Sequence, residues 1–152
     1  MKSINTVSEV KLTYHPGVKA SERVQVRCSK DIYRFLVGGA FDEGTIEHRE
    51  SFKVLLLNSS SRILGVYSAS EGGIDQTIVD ARLVMQAALL SNATRIVLCH
   101  NHPSGLLRPS GNDDTLTRRM GSICHIMGIE MVDHLIISPE SYYSYADEGR
   151  LE

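Results

Sequence analysis

Two histidines, a serine and an aspartate lie close together within residues 99–113 of this chain. His100 and His102 are two positions apart, and residues at that spacing on an extended segment point to the same side. Imidazole nitrogens and carboxylate oxygens bind Zn²⁺, and a catalytic zinc site usually keeps three protein ligands and one position for water. Asp113 is the nearest carboxylate that can fold back to complete the set, and Asp114 is its rival. The segment therefore predicts a zinc site in which water becomes acidic enough to react.

Each of these residues also has an ordinary structural explanation. Residues 110–113 fit a capping box, in which a serine and an acidic residue three positions later bond the first amides of a helix. A single histidine is usually structural or faces solvent, and that is the prediction for His15, His48 and His125. We favour the metal site because two histidines with strand parity, a Pro/Gly-rich loop and a carboxylate are hard to explain together as structure alone.

The three cysteines contribute no further ligands. Cys28, Cys99 and Cys124 are odd in number and far apart, so they predict neither a disulfide framework nor a thiolate zinc cluster. Cys99 directly precedes His100, and strand alternation points its side chain the opposite way. Other zinc signatures, such as HExxH or the deaminase pair of H-x-E with P-C-x-x-C, are absent from the sequence.

The elements that must position these residues predict an α/β fold. Residues 95–99 are an apolar strand that leads into the histidines, and residues 130–138 and 142–145 read as later strands. A helix between them ends at Gly128, which makes at least one β-α-β unit. Its predicted core stripe consists of Leu116, Met120, Ile123 and Met127.

The first half of the chain supplies the rest of the sheet. Residues 52–57 suit a strand that is buried on both faces, and residues 62–68 suit its antiparallel return. Ten of the thirteen residues 78–90 are apolar, which predicts a helix that is buried most of the way round. Further upstream, we expect two short strands within residues 9–28 and a short helix that ends near Gly38-Gly39.

Composition restricts the classes of partner. The chain has 152 residues, of which 42% are hydrophobic, and this suits the core of one domain. Sixteen basic and 18 acidic residues give a formal net charge of −2, which does not favour a nucleic-acid partner. The one compact basic pair in the second half, Arg118-Arg119, is expected to be a solvated helix face. Apolar runs are too short for a signal peptide or membrane span, which predicts a cytoplasmic protein with no membrane partner.

The spacing of the motif resembles that of a known family. Glu50, His100-Asn101-His102, Ser110 and Asp113 match the JAMM (JAB/MPN) metalloprotease pattern of a glutamate followed by H-x-H-x7-S-x2-D. The closer similarity is to the RadC-like branch, because three further segments look like its signature segments. These segments are residues 100–105, residues 109–110 and residues 133–135.

The resemblance covers the chain from about residue 31 and implies its fold. That fold is a single-domain JAMM/MPN-type α/β fold, a mixed β-sheet flanked by helices with layering similar to the cytidine deaminases. We therefore divide the chain into an N-terminal extension with strands, residues 1–30, and a RadC-like JAMM domain, residues 31–152. With fewer than fifty residues ahead of Glu50, the chain has no room for the helix-hairpin-helix DNA module of larger relatives.

The resemblance also implies a reaction and the residues that perform it. The chain would be a zinc metallohydrolase that cleaves a peptide or isopeptide bond in a protein substrate, by metal-assisted attack of water. Glu50 would be the general base, with Glu47 as the fallback that the residues alone do not exclude. Ser110 would hydrogen-bond the developing oxyanion or the water. The implied Zn²⁺ ligands are His100, His102 and Asp113.

Two other functions stay open at this point, a non-catalytic metal-binding scaffold domain and a DNA-repair-associated, metal-dependent nuclease. The sequence sets no oligomeric state. One further histidine is predicted to lie in the core. His134 shares a strand face with Val132 and Ile136 by simple alternation, which predicts a core histidine with a hydrogen-bond partner that could support a metal ligand.

Overall fold

The computed structural model of the chain describes residues 6–71 and 78–151. A π-helical turn at Leu36–Ala40 directly follows the first helix, which ends at Phe35. In chain order, the elements are α1 (Ser29–Phe35), β1 (Ser51–Leu57), β2 (Ile63–Glu71), α2 (Ala81–Leu90), β3 (Arg95–Asn101), α3 (Gly111–Met127), β4 (Glu130–Ile137) and β5 (Tyr142–Ser144).

The five strands form one mixed sheet in the order β2-β1-β3-β4-β5. Strand β1 is antiparallel to both of its neighbours, β3 and β4 are parallel, and β5 closes the edge antiparallel to β4. Helix α3 connects the two parallel strands, so β3-α3-β4 is the predicted β-α-β unit. The predicted α/β fold with a mixed sheet flanked by helices is confirmed.

The sheet has a helical layer on each face. Even-numbered apolar residues of β1 and β3 pack against α2 and α3, whereas odd-numbered ones pack against α1. Both faces are apolar because the strands are covered on both sides, which explains the continuous apolar runs. The same alternation directs His100 to the α3 side and Asn101 to the α1 side.

Helix α3 has defined caps at both ends. Ser110 caps its N-terminus, and Gly128, with φ of 71°, ends it in the left-handed conformation that glycine adopts most readily. The predicted core stripe is wrong in part, because Met127 is exposed and Leu116 and Ile123 are only partly buried. The buried residues of α3 are Asp113, Thr117, Met120 and Cys124, so its inner face carries two polar side chains next to the histidines.

The two strands predicted within residues 9–28 are wrong. Among residues 6–28, pairing is limited to a single bridge between Gln25 and Arg62, and Val26 is the hydrophobic residue that enters the core. A strand requires bonding to a neighbour along its length, and this segment finds a neighbour at one residue only. The division of the chain at residue 30 stays a prediction.

Helix α2 is shorter and more exposed than predicted. It begins at Ala81, because the Asp80 carboxylate accepts a hydrogen bond from the Arg82 amide and caps the helix there. Its sheet-facing side is buried, but Leu83, Leu89 and Leu90 are between 41% and 48% exposed. The prediction of burial most of the way round is therefore wrong, since among the described residues the sheet covers one side of the helix.

Strand β4 contains a register shift. Ile96 of β3 pairs with Met131 and Val97 pairs with Asp133, which leaves Val132 as an extra residue. Val132 packs with the cluster on the α1 side, whereas His134 contacts α3 on the other side. The prediction that Val132 and His134 share a face is therefore wrong. None of the helices in the described ranges is long and apolar enough to cross a membrane.

Candidate metal centre

The two predicted histidine ligands lie at the C-terminal end of β3. His100 is the penultimate residue of this strand, His102 follows it directly, and the first turn of α3 lies beside them. The carboxyl ends of parallel strands and the start of the following helix are where α/β sheets bind ligands. His100 is 1% exposed and His102 is partly buried, so both side chains are largely shielded from solvent.

The side chains of His100, His102 and Asp113 converge at the spacing of metal ligands. The two histidine Nε2 atoms are 3.0 Å apart. Asp113 places Oδ1 3.2 Å from Nε2 of His100 and Oδ2 3.2 Å from Nε2 of His102. A tetrahedral zinc ion with bonds of roughly 2.0–2.2 Å separates its ligand atoms by about 3.4 Å. The three side chains therefore fit a zinc ion by donor type and by mutual distance.

Glu50 reaches the same site from the start of β1. Its carboxylate is buried, and Oε1 lies 3.9 Å from Nε2 of His100. Ligand atoms of Glu50, His100 and His102 all lie within 4.8 Å of one another. The longer distance from Glu50 leaves room for a water molecule between it and the histidines. The rival Glu47 is exposed in the same cavity.

Asp113 satisfies both explanations that the sequence left open. The capping box is present, since Ser110 N–H donates to Asp113 Oδ2 at 2.8 Å and Asp113 N–H donates to Ser110 Oγ at 3.1 Å. The same carboxylate also faces both histidines. Helix capping therefore fixes the rotamer that presents Asp113 to the candidate metal position.

Asp114 is engaged elsewhere. Tyr145 Oη donates to its Oδ1 at 2.7 Å, and the Arg150 guanidinium binds its Oδ2 at 2.9 Å. These contacts hold the Asp114 carboxylate against the C-terminal segment. Of the two candidate carboxylates, it is Asp113 that the structure brings to the histidines.

Ser110 lies at the rim of the centre. Its hydroxyl oxygen accepts from the Asp113 amide, which leaves the hydroxyl hydrogen to point to another acceptor. The residue is exposed and lines a cavity of about 970 Å³ that also includes Glu50, His102 and Asp113. The predicted hydrogen-bonding role of Ser110 stays a prediction that this position allows.

At Asp113 and His100, the electrostatics of the cluster favour the protonation states that a metal requires. Burial raises the pKa of Asp113, but the adjacent His100 and His102 outweigh it and hold this pKa well below the usual range. Burial lowers the pKa of His100 and His134. The Asp113 hydrogen bond raises the pKa of the more exposed His102. At neutral pH, Asp113 is therefore ionised, and the two most buried histidines are neutral.

The tautomer of His102 is set by the backbone. A turn places the Gly105 amide 2.8 Å from the His102 carbonyl, and Gly105 adopts a φ of 79°, which favours glycine. The turn returns the Leu106 carbonyl to within 2.8 Å of His102 Nδ1. A carbonyl oxygen only accepts, so Nδ1 carries the hydrogen and Nε2 keeps its lone pair for a metal.

His100 is supported by side chains instead. Its Nδ1 lies 2.9 Å from Nε2 of His134, and Nδ1 of His134 lies 2.6 Å from the Thr117 hydroxyl. The predicted core histidine with a hydrogen-bond partner is confirmed at His134. Thr117 carries no sequence signal beyond its place four residues after Asp113 on the helix.

Asn101 is a residue to which the sequence assigned no role. Its side chain is buried on the α1 side, where Oδ1 accepts from the Ser51 amide at 2.8 Å. Its amide donates to the carbonyls of Ile46 at 2.6 Å and Arg49 at 2.9 Å. These three bonds tie the segment that carries Glu50 to the strand that carries the histidines. A polar side chain inside an otherwise apolar strand is the one signal that could have found it.

The remaining histidines and cysteines lie outside the centre. His15, His48 and His125 are exposed, as predicted. The three cysteines are free thiols. Cys99 is buried, and its thiol donates to the Lys53 carbonyl at 3.2 Å on the side of β3 away from the metal position.

The fold and the site together define an α/β domain with a candidate Glu/His/His metal centre. A family model described as the RadC-like JAB domain matches residues 26–150, and the chain belongs to this family. The RadC-like resemblance and the JAMM/MPN-type fold that it implies are confirmed.

Similar proteins are named UPF0758 protein. The one from Flavobacterium johnsoniae is 45% identical over 106 residues, which cover 70% of this chain and 46% of the relative. The one from Salinibacter ruber is 37% identical over 131 residues, which cover 86% of this chain and 54% of the relative. The chain spans about half the length of these two relatives. A third, from Pelobacter propionicus, is 36% identical over 160 aligned residues, which cover 99% of this chain and 70% of the relative.

Proposed function

We propose that this chain is a zinc-dependent hydrolase that cleaves a peptide or isopeptide bond in a protein substrate. The observation that carries the proposal is the convergence of two imidazole nitrogens and one carboxylate at 3.0–3.2 Å, with a second buried carboxylate 3.9 Å from His100. Three ligands and one separate carboxylate are the parts that metal-assisted hydrolysis requires.

The residues divide into a binding group and a reacting group. His100, His102 and Asp113 hold Zn²⁺ through Nε2 and carboxylate oxygens. When bound, a zinc ion supplies positive charge that polarises a carbonyl group and acidifies water. Glu50 takes the proton of the attacking water and delivers it to the leaving amine. Ser110 donates its hydroxyl hydrogen to the developing oxyanion.

The cavity supports a polymeric substrate over a small molecule. Its volume is about 970 Å³, at the upper end of small-molecule pockets, and it is open to solvent. The residues that line it include Glu47, Arg108 and Arg119, so an extended chain can contact charges of both signs. The formal net charge of −2 weighs against nucleic acid as that chain.

The test begins with metal content. Protein purified without chelator and dialysed against Zn²⁺ should retain about one zinc ion per chain. Glu50→Gln should keep that zinc and lower the rate of hydrolysis by about 10²–10⁴-fold, because a general base contributes that much. Glu47→Gln is the matched control, because it alters an exposed neighbour in the same cavity. It should keep the zinc and lower hydrolysis far less than Glu50→Gln does.

The substrate screen offers peptide, isopeptide and nucleic-acid bonds to the wild type and to Glu50→Gln. Cleavage of peptide or isopeptide bonds that depends on Glu50 supports the proposal. Zinc binding without cleavage of any bond would instead support a metal-binding scaffold, and cleavage of nucleic acid alone would support a nuclease. Loss of zinc in Glu50→Gln would show that Glu50 is a ligand and not the base.

A further inference from the structure

We propose that Thr117 and His134 are positioning residues that hold His100 in the tautomer whose Nε2 lone pair faces the metal centre. The inference rests on the zinc site proposed above and concerns how one of its ligands is prepared. Thr117, His134 and His100 are each 1% exposed or less, so water does not compete for their hydrogen bonds. They form one continuous chain of contacts from α3 through β4 to β3.

The direction of this chain follows from the single hydrogen of the Thr117 hydroxyl. That hydroxyl donates to the Asp113 carbonyl at 2.7 Å, one turn earlier in the helix. With its hydrogen used there, the Thr117 oxygen accepts from His134, so Nδ1 of His134 carries the hydrogen. A neutral imidazole has one donor and one acceptor, and Nε2 of His134 is therefore the acceptor.

The second half of the chain follows by the same rule. His100 Nδ1 must donate to His134 Nε2, because that nitrogen holds a lone pair. The remaining nitrogen of His100, Nε2, is then free of hydrogen. It is the atom that lies 3.0 Å from His102 and 3.2 Å from Asp113. Thr117 thereby determines which nitrogen of His100 is available to the metal, although two hydrogen bonds separate the two residues.

The opposite direction would block the ligand. If Thr117 donated to His134, then His134 would donate to His100, and the hydrogen of His100 would move to Nε2. It would point at Asp113 and occupy the position of a metal ion. A histidine acceptor permits both directions, whereas the carbonyl acceptor of His102 permits one. His100 is the ligand that requires a third group to select the tautomer.

Ring stacking holds both imidazoles in place for this purpose. His100 stacks on Phe52 with centroids 5.5 Å apart and planes 9° apart. His134 stacks on Tyr145 with centroids 4.9 Å apart and planes 9° apart. Rotation of either ring to exchange Nδ1 and Nε2 would break a hydrogen bond, and the stacked aromatic neighbour opposes that rotation. The tautomer is therefore controlled by hydrogen direction and not by ring rotation.

The experiment measures zinc affinity and the tautomer in the full chain. Thr117→Val keeps the size and β-branching of the side chain but removes the hydroxyl. It should weaken zinc binding by about 10–100-fold in competition with a chelator, the range for loss of a group that orients a ligand. Thr117→Ser restores the hydroxyl and should restore most of the affinity. In ¹⁵N-labelled, metal-free wild type, NMR should find the hydrogen on Nδ1 of both His134 and His100.

Thr115→Val is the matched control. Thr115 makes the same bond to the carbonyl one turn earlier, to Gly111 at 3.0 Å, but its hydroxyl bonds no histidine. Its loss should leave zinc affinity unchanged. Equal zinc affinity of Thr117→Val and wild type would overturn the inference, as would a hydrogen on Nε2 of His134 in the metal-free protein. If Thr117→Val does not fold, the wild-type NMR result decides.

Failure of the inference and failure of the proposed function are distinguishable. A wild type that binds zinc but cleaves no bond would overturn the hydrolase and leave the tautomer result standing. Normal hydrolysis with equal zinc affinity in Thr117→Val would do the reverse. A wild type that binds no zinc would overturn both.

Discussion

Two buried aspartates, Asp113 and Asp133, lie on different sides of the sheet and receive different kinds of donor. Asp113 faces two imidazoles and one backbone amide. Asp133 accepts from the Ser144 hydroxyl at 2.6 Å and from the amides of His134 and Ala146 at 2.7 and 3.0 Å. Both carboxylates are well bonded, but the partners of Asp133 are all neutral.

This difference moves the two pKa values in opposite directions. Burial raises the pKa of Asp133, and its hydrogen bonds do not overcome that effect. At Asp113, the two adjacent histidines overcome the effect of burial and lower the pKa. A buried carboxylate that remains ionised can bind a cation. A carboxylate whose donors are neutral backbone and hydroxyl groups holds together the segments that supply those donors. Asp133 does the latter, because its partners belong to β4, β5 and the segment after β5.

The largest expected effect is loss of zinc from the Asp113 side of the comparison. Asp113→Asn removes the negative charge but keeps the shape of the side chain. Zinc affinity should fall by more than about 100-fold, because loss of a ligand exceeds loss of the group that orients one. The metal-free protein should lose about 1 kcal/mol or less from the helix terminus.

Asp114→Asn is the control for that measurement, because it neutralises the adjacent carboxylate that binds Tyr145 and Arg150. Chelator competition should return the wild-type zinc affinity for this variant. If Asp114→Asn lost zinc and Asp113→Asn kept it, the assignment of the two carboxylates would be reversed.

Stability should respond most at Asp133. Asp133→Ala leaves two backbone amides and one buried hydroxyl without their acceptor, which costs about 3 kcal/mol. Urea unfolding of the metal-free protein measures that loss. Ser144→Ala removes one of the three donors and should cost about 1 kcal/mol. Zinc affinity should stay unchanged in both variants, and a parallel loss of zinc would break the distinction between the two aspartates.

The smallest expected effect is on the pH dependence of stability. A raised pKa in the folded state means that Asp133 stabilises the fold fully below its unfolded pKa of about 3.9 and loses this contribution as pH rises through the folded value. Asp133→Asn has no such loss. Relative to wild type, its unfolding free energy should therefore increase from about pH 4 to pH 7. A difference that is flat with pH, or that decreases, would contradict the raised pKa.

Sequence spacing is sufficient for the parts of the centre that are neighbours along the chain. Strand parity alone places His100 and His102 on one side and Cys99 on the other. Glu50 is different, because it reaches the histidines through the pairing of β1 with β3, in which Phe52 lies opposite His100. Spacing within one sequence does not report which strands pair. The choice of Glu50 over Glu47 therefore came from the family resemblance.

The support of the ligands is the part that spacing does not predict. Asn101 and Thr117 act on segments that are far away along the chain, and each has an ordinary explanation as a buried polar residue. The N-terminal strands fail for the opposite reason, since residues 9–28 alternate correctly but find a neighbour at Gln25 only. Local pattern is informative where tertiary contacts agree with it, and it misleads where a partner is missing.

The extra residue at Val132 gives β4 two phases of alternation. Up to Met131, the side chains alternate between the two faces of the sheet. From Asp133 onward, each side chain lies on the opposite face from the one that uninterrupted alternation would give. If Val132 were paired instead of bulged, strict alternation from Met131 would exchange the faces of Asp133 and His134. A carboxylate would then stand behind His100 and an imidazole beside β5, with no ligand altered. The metal centre therefore depends on the register of a strand as well as on the identity of its residues.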